Sequence, residues 1–152
     1  MKVNTLTTRW RYRLGGTAPA PSTDQSERRY ADFLIDETPL RNMFGSGLIG
    51  ALGWGVPEYE VQLVNQLLLR ADPPRSRQML LVCPECGDLG CGAITADVSL
   101  SAGLFVWSQF GFENDYDPNM SEFDSYRSVG PFAFEAGPYE AVLRGALVRG
   151  DV

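Results

Sequence analysis

Three strand-like segments separated by two turns lie in the second half of this 152-residue chain. Residues 79–82 are all apolar, residues 94–100 alternate apolar with polar side chains, and residues 104–112 are again rich in apolar side chains. Alternation with a period of two is typical of a strand with one buried face. Because glycine-containing turns separate the three segments, we expect an antiparallel meander in which each strand pairs with the next.

A hairpin is predicted at the N-terminal end. Residues 6–14 alternate apolar side chains with Arg9, Arg11 and Arg13, which predicts a half-buried strand with a row of arginines on its outer face. Residues 30–36 predict a second strand that pairs back on the first.

Two segments with helical spacing complete the predicted elements. One helix is expected to begin at Pro57, because proline is favoured in the first helical turn, and to end before Asp72. A final helix is expected to begin at Pro138. Its apolar stripe consists of Tyr139, Val142, Leu143, Ala146 and Leu147. The order of elements predicts an α+β fold, with an antiparallel sheet built from the N-terminal hairpin and the central meander and packed by two main helices.

Length and composition predict one domain over residues 1–152, with a flexible loop at about residues 15–29, where turn-forming residues are concentrated. The chain contains no run of about 18 apolar residues and no N-terminal signal-like segment, so we expect a cytoplasmic protein without a membrane partner. A net charge of −6 argues against nucleic-acid binding.

All three cysteines lie within nine positions, at Cys83, Cys86 and Cys91. The first two have the spacing of a zinc knuckle, but structural zinc needs four ligands and the chain has no histidine to supply one. We therefore expect these thiols to line a tight glycine turn, with no cofactor. The alternative is a zinc-binding or redox site formed by the same three cysteines.

An enzymatic function lacks a clear motif in this chain. The absence of histidine removes the Ser-His-Asp and Cys-His arrangements. Residues 45–50 match the glycine spacing of a dinucleotide loop, but they follow no apolar parallel strand. Because residues 40–55 contain five glycines, we expect a loop or a short broken helix there. A small carboxylate-dependent enzyme with a pocket near these glycines remains an alternative.

An acidic segment at residues 113–124 is the best candidate for a binding site. It carries five carboxylates and no basic residue, and aromatic side chains are interspersed with them. Such a run also occurs on solvated surfaces that bind nothing, but carboxylates beside aromatic anchors are suited to a basic protein partner. The predicted partner-binding residues are Glu113, Asp115, Tyr116, Asp117, Glu122, Phe123, Asp124 and Tyr126.

Three sequence blocks carry a family resemblance. They are the cysteine turn at residues 83–92, the strand at residues 106–112 and the Gly-Pro-Phe-Ala-Phe segment at residues 130–134. Over roughly residues 30–147 the chain resembles a group of small bacterial proteins of uncharacterised activity. The resemblance implies a single domain and no particular chemistry. Because small acidic bacterial domains are often immunity proteins, we expect a non-enzymatic protein-binding module, most concretely an immunity protein that blocks the basic cleft of a cognate toxin.

Overall fold

A computed structural model describes residues 2–13, 28–45, 47–85, 92–113 and 126–148 of the chain. Within these ranges there are eight strands, two α-helices and one 3-10 helix. In chain order the elements are β1 (Leu6–Arg13), β2 (Arg28–Ile35), β3 (Thr38–Pro39), the 3-10 helix (Leu40–Met43), β4 (Ile49–Gly50), α1 (Pro57–Leu67), β5 (Gln78–Val82), β6 (Ala93–Ser101), β7 (Leu104–Glu113), β8 (Phe132–Glu135) and α2 (Ala136–Val148). The predicted α+β class is confirmed.

The strands form two antiparallel sheets. One sheet has the order β1-β2-β3 and the other has the order β4-β5-β6-β7-β8. The predicted hairpin is β1 paired with β2, from Leu6 opposite Ile35 to Arg13 opposite Arg28. The predicted meander is β5-β6-β7. Both helices were also predicted, although α2 begins two residues before the expected Pro138.

Two short segments differ from the sequence-based expectation. The Gly-Pro-Phe-Ala-Phe segment at residues 130–134 contributes to β8, the edge strand of the five-stranded sheet, which pairs with the first half of β7. The glycine-rich segment at residues 40–55 contains the 3-10 helix and β4. Both strands are too short for periodicity to reveal them, because they depend on a neighbouring strand for their hydrogen bonds.

The three-stranded sheet is joined to the five-stranded sheet beside both edge strands of the latter, β4 and β8. The Ala31 amide of β2 donates to the Leu52 carbonyl, 2.8 Å away, and the Asn4 amide donates to the Ala133 carbonyl of β8, 2.6 Å away. A Cβ atom at Gly50 would overlap the Ala31 carbonyl oxygen, so only glycine permits the first of these approaches. The sheets therefore close on each other around a shared core.

Large aromatic side chains fill the centre of that core. Trp107 of β7 contacts Phe33 of β2 and Phe134 of β8 edge-on, with ring centroids 5.8 and 5.0 Å apart. Tyr139 of α2 stacks on Phe105, 4.4 Å between centroids. These rings come from both sheets and one helix, so the core holds together elements that are distant in sequence.

A chain of buried hydrogen bonds crosses the aromatic core. The Trp107 indole donates to the Tyr139 hydroxyl oxygen, 3.0 Å away, and that hydroxyl donates to the Leu67 carbonyl at the end of α1, 2.8 Å away. Burial raises the pKa of Tyr139 well above its ordinary value, so the hydroxyl remains a donor. One hydroxyl thus joins β7, α2 and α1.

A helix with the length and apolarity of a membrane span is absent from the described residues.

The loop before α1 is held by a buried carboxylate. Glu60 is 4% exposed and lies in the first turns of α1. Its two oxygens accept hydrogen bonds from four consecutive backbone amides of the loop before α1, those of Gly53, Trp54, Gly55 and Val56. Four donors compensate the loss of solvent around this charge. These loop amides are therefore occupied by the chain itself and do not form an anion site.

An exposed ion cluster links the two helices. Glu140 of α2 accepts hydrogen bonds from Arg70, which follows α1, at 2.9 and 3.1 Å, and from Arg144 one helical turn later at 2.7 Å. Hydrogen bonds from Arg70 and Arg144 lower the pKa of Glu140 to about 2. Ionisation of Glu140 therefore favours the folded state.

Replacement of Tyr139 by phenylalanine tests the buried hydrogen-bond chain. Tyr139→Phe leaves the Trp107 indole and the Leu67 carbonyl without their shared partner, so we expect the free energy of unfolding to fall by about 1–3 kcal/mol. Urea unfolding at unchanged m-value measures this loss. Thr7→Val, which removes an exposed hydroxyl from β1, is the control and should change stability by less than about 0.5 kcal/mol. Equal losses in the two variants would contradict the assignment.

The Glu140 cluster predicts a pH-dependent contribution to stability. The pKa of Glu140 is about 2 when folded and about 4.5 without its partners, so its contribution is present above pH 4.5 and is lost as the pH falls toward 2. Thermal unfolding of the native chain and of Glu140→Gln should therefore show a small difference in Tm above pH 5 that shrinks toward zero near pH 2. Because exposed pairs are screened, high salt should also reduce this difference. A difference that is constant with pH would exclude this role.

Candidate functional site

A β-bulge in β7 defines the candidate site. Thr95 of β6 stands opposite Gly111, and Asp97 stands opposite Ser108, so Gln109 and Phe110 share one position of the partner strand. Gln109 has a φ of +51°, which is uncommon for a residue with a Cβ atom. Bulges and such backbone conformations are concentrated next to functional sites, where they redirect a side chain.

Arg77, which immediately precedes β5, holds the bulge in place. Its Nη2 donates to the Gln109 carbonyl at 2.6 Å and to the Thr95 carbonyl at 2.9 Å. Its Nε donates to the Thr95 hydroxyl at 3.0 Å and forms an ion pair of 2.7 Å with Glu113. The Thr95 hydroxyl in turn donates to Glu113. The side chains of Arg77 and Glu113 are only 16% and 20% exposed, so this network is largely shielded from solvent.

A cavity of about 310 Å³ lies beside the bulge. Its walls are apolar at Phe110, Val129 and Pro131 and aromatic at Tyr126, while Ser108, Gln109 and Arg127 supply polar groups. The Tyr126 ring contacts Phe44 edge-on at 4.9 Å, and Phe44 also contacts Phe110 at 5.6 Å. The aromatic wall is therefore packed from behind, which favours a cavity that exists before any ligand arrives.

Two of the predicted partner-binding residues lie at this place. Glu113 ends β7 and is bound to Arg77 and Thr95, so it is engaged inside the molecule. Tyr126 was expected to be an exposed aromatic; it is half-buried and lines the cavity. The remaining six predicted residues lie outside the described residues: Asp115, Tyr116, Asp117, Glu122, Phe123 and Asp124. Glu113 is thus bound to the arginine that holds the bulge, and Tyr126 lines the cavity beside it.

The cysteine turn is described only at its start. Cys83 follows β5, is half-buried against the core and has a free thiol. Cys86 and Cys91 lie outside the described residues. In the part of the chain that the structure describes, no three carboxylate or thiol side chains cluster in a way that could hold a metal ion. Zinc binding at the three cysteines stays an untested alternative.

Sequence reasoning missed the bulge, the cavity and the role of Arg77. Nothing in the apolar pattern of residues 104–112 marks Gln109 as a residue with a left-handed backbone. Gly111 was the one available signal, because glycine inside a strand is typical of a bulge. Arg77 immediately precedes β5, which is not adjacent to β7, so its contact with the Gln109 carbonyl depends on sheet order.

The chemistry of the site favours binding over catalysis. The chain contains no histidine, so the Ser108 hydroxyl has no imidazole base. An apolar wall with an amide, a hydroxyl and a guanidinium around it suits an apolar or aromatic group that carries a polar neighbour. Searches of family models, of curated proteins and of solved structures found no match to this chain.

Removal of the Arg77 guanidinium tests whether it holds the bulge. Arg77→Met keeps the aliphatic stem but leaves Glu113 and the Gln109 carbonyl without their charged donor, so we expect a loss of about 1.5–3 kcal/mol in unfolding free energy. Hydrogen exchange should accelerate first at the amides of residues 108–111. Arg9→Met is the matched control, because the Arg9 side chain is exposed on β1 and forms no hydrogen bond or ion pair with the described residues. Uniform acceleration throughout the sheet, or an equal effect at Arg9, would refute a local role.

Proposed function

We propose that this protein is a non-enzymatic protein-binding module whose partner is a basic protein. The observation that carries the proposal is the position of the cavity beside β7: Glu113 and Tyr126, which enclose the acidic segment, both contact the structure around the Gln109 bulge. In this proposal the carboxylates that follow Glu113 in sequence supply the steering charge, and the cavity supplies the anchor. Protein interfaces combine these two features, with complementary charge around a buried aromatic anchor.

The charge argument depends on the acidic residues that follow β7. Glu113 is neutralised by Arg77, so the proposal assigns the steering role to the carboxylates of Asp115, Asp117, Glu122 and Asp124. No basic residue interrupts this segment, and the whole chain carries a charge of −6. A basic surface would be attracted to it from a distance, and the attraction would weaken with salt.

The size of the cavity supports a side chain as the anchored group. Pockets for small molecules and cofactors commonly measure about 300–1,000 Å³, and this one, at about 310 Å³, lies at the lower limit. It suits one large apolar or aromatic side chain better than a nucleotide or another extended cofactor. The side-chain amide of Gln109, which also lines the cavity, offers hydrogen-bond donors to the backbone of the anchored residue.

Within this class, we propose the specific role of an immunity protein. A toxin that acts on nucleic acid or another anionic substrate needs a basic cleft, and an acidic segment with aromatic side chains is suited to cover it. The cavity beside Tyr126 would then receive one side chain from the rim of that cleft.

Peptide titration tests the binding module. We expect a basic peptide with one central phenylalanine to shift the amide signals of Ser108 and Gly130 in NMR spectra. The same peptide with serine in place of phenylalanine should bind about tenfold or more weakly, because it lacks the anchor. An acidic peptide with the same phenylalanine is the charge control. If it binds as tightly as the basic peptide, the proposed charge complementarity is wrong.

Charge-neutralised variants test the acidic segment. Conversion of Asp115, Asp117, Glu122 and Asp124 to their amides should weaken binding of the basic peptide at low salt by about tenfold and should remove most of its salt dependence. The matched control removes four exposed carboxylates elsewhere: Glu37→Gln, Glu58→Gln, Asp72→Asn and Glu135→Gln. Equal weakening in both variants would indicate a net-charge effect and would exclude a local site.

The immunity role has a cellular test. If a large toxin-like reading frame is encoded next to this chain, we expect co-expression with this protein to restore the growth of a host that produces the toxin. The variant with four neutralised residues in 115–124 should protect less, while the control variant should protect fully. Failure of the native chain to protect would exclude toxin neutralisation without affecting the peptide-binding result.

A further inference from the structure

A second polar cluster lies in the three-stranded sheet, which is built from the N-terminal part of the chain. Asp32 of β2 is completely buried. Its carboxylate accepts a hydrogen bond from the Nε of Arg11 at 2.9 Å and bonds from the Nε of Arg41 at 3.1 and 3.2 Å. Both arginines bond the same Asp32 oxygen, so the two guanidinium groups lie side by side.

Two separate elements supply these arginines. Arg11 belongs to the row of arginines that β1 was expected to present to solvent, and Arg41 lies in the 3-10 helix after β3. Only part of the expected row is exposed: Arg9 faces solvent, while Arg11 turns toward Asp32. The β1–β2 pairing and the return of the chain through β3 therefore create the pair.

The pair carries more positive charge than Asp32 can neutralise. One carboxylate compensates one guanidinium, so a charge of about +1 remains at a half-exposed position. Each arginine uses its Nε for Asp32. Among the described residues, the terminal nitrogens of Arg11 have no partner, and those of Arg41 have only the Asn42 side-chain oxygen at 3.5 Å. The side chains of Arg11 and Arg41 are 36% and 29% exposed, so a ligand can reach these donors.

Arg41 also lines an open hollow of about 310 Å³. The hollow is lined further by Asn42, Gly45, Gly47, Leu48 and Ile49. Gly45 and Gly47 have φ values of +61° and +75°, and a Cβ atom at either would meet nothing within 4 Å. Glycine is thus required there by backbone conformation and not by packing, and the backbone stays open to the hollow.

We propose that Arg11 and Arg41 form an oxyanion-binding site for the phosphate or carboxylate group of a ligand, the rest of which lies in the hollow that Arg41 lines. Guanidinium groups bind both anions through two parallel hydrogen bonds, and Asp32 holds the heads in a fixed orientation before the ligand arrives. This site is independent of the proposed protein-binding cavity, because it uses other residues and charge of the opposite sign.

A purely structural ion cluster is the competing explanation. Such a cluster needs one arginine to compensate Asp32, and further hydrogen bonds within the protein would use the remaining donors. Here a second arginine is present, both side chains are partly exposed, and the terminal donors of both lack a strong partner in the described residues. The surplus of donors is what a ligand would satisfy.

An NMR titration with inorganic phosphate, and in parallel with acetate, tests the proposal at constant ionic strength. We expect saturable shifts of the Arg11 and Arg41 Nε–Hε signals and of the Gly45 and Gly47 amides. Saturation by phosphate alone assigns a phosphate site, by acetate alone a carboxylate site, and by both a general oxyanion site. If neither anion produces saturable shifts at these signals, the proposal is wrong.

Arginine variants distinguish a specific guanidinium site from a general electrostatic attraction of anions to the protein. Replacement of either arginine by alanine would leave Asp32 with less compensation and risks unfolding, so the double variant Arg11→Lys/Arg41→Lys is used, which keeps both charges. It should weaken binding about fivefold or more, because lysine lacks the paired donors. Lys2→Ala, which removes an equal charge from the exposed segment before β1, should bind as the native chain does. Equal affinity in native and lysine variants, or an equal loss in Lys2→Ala, would overturn the proposal.

Discussion

The hydroxyl of Tyr139 is the point on which the architecture depends. It accepts from the Trp107 indole and donates to the Leu67 carbonyl, so one polar atom satisfies two buried groups and joins β7, α2 and α1. Around it the aromatic rings of both sheets meet in edge-on and stacked contacts. Because a buried group without a partner is costly, this shared hydroxyl favours the observed relative arrangement of the three elements. That arrangement includes β7, the strand that contains the bulge.

The short segment from Leu40 to Phe44 connects the two candidate sites. Arg41, in the 3-10 helix, bonds Asp32 in the three-stranded sheet, and Phe44, just after it, packs on Tyr126 and Phe110 beside the cavity. Arg41 belongs to the proposed oxyanion site, whereas the proposed protein-binding site takes its charge from the acidic residues that follow Glu113 in sequence. The two proposals therefore predict that ligands of opposite charge bind at different surfaces of the same core.

Local patterns predicted the longer elements well. The alternation in residues 6–14, 94–100 and 104–112 and the helical stripes after Pro57 and Pro138 correspond to β1, β6, β7, α1 and α2. Each of these elements is long enough for its buried face to repeat several times. The two-residue strand β4 and the four-residue strand β8 have no such repeat, since each depends on the backbone of a neighbouring strand. The acidic segment was recognised by charge alone, and the cavity at its end was not.

The sequence by itself determined the class of fold, the periodic elements, the lack of a histidine for catalysis and the excess of carboxylates after β7. Each of these depends only on local residue order or on composition. Only the tertiary structure decided which carboxylates are paired within the protein. Glu113 forms an ion pair with Arg77, Glu60 accepts hydrogen bonds from four backbone amides, and Asp32 binds two arginines. The tertiary structure also gave Gln109 its left-handed backbone and built the cavity beside it. The physical reason is that hydrogen bonds and ion pairs between distant strands depend on sheet order and register, which no local pattern contains.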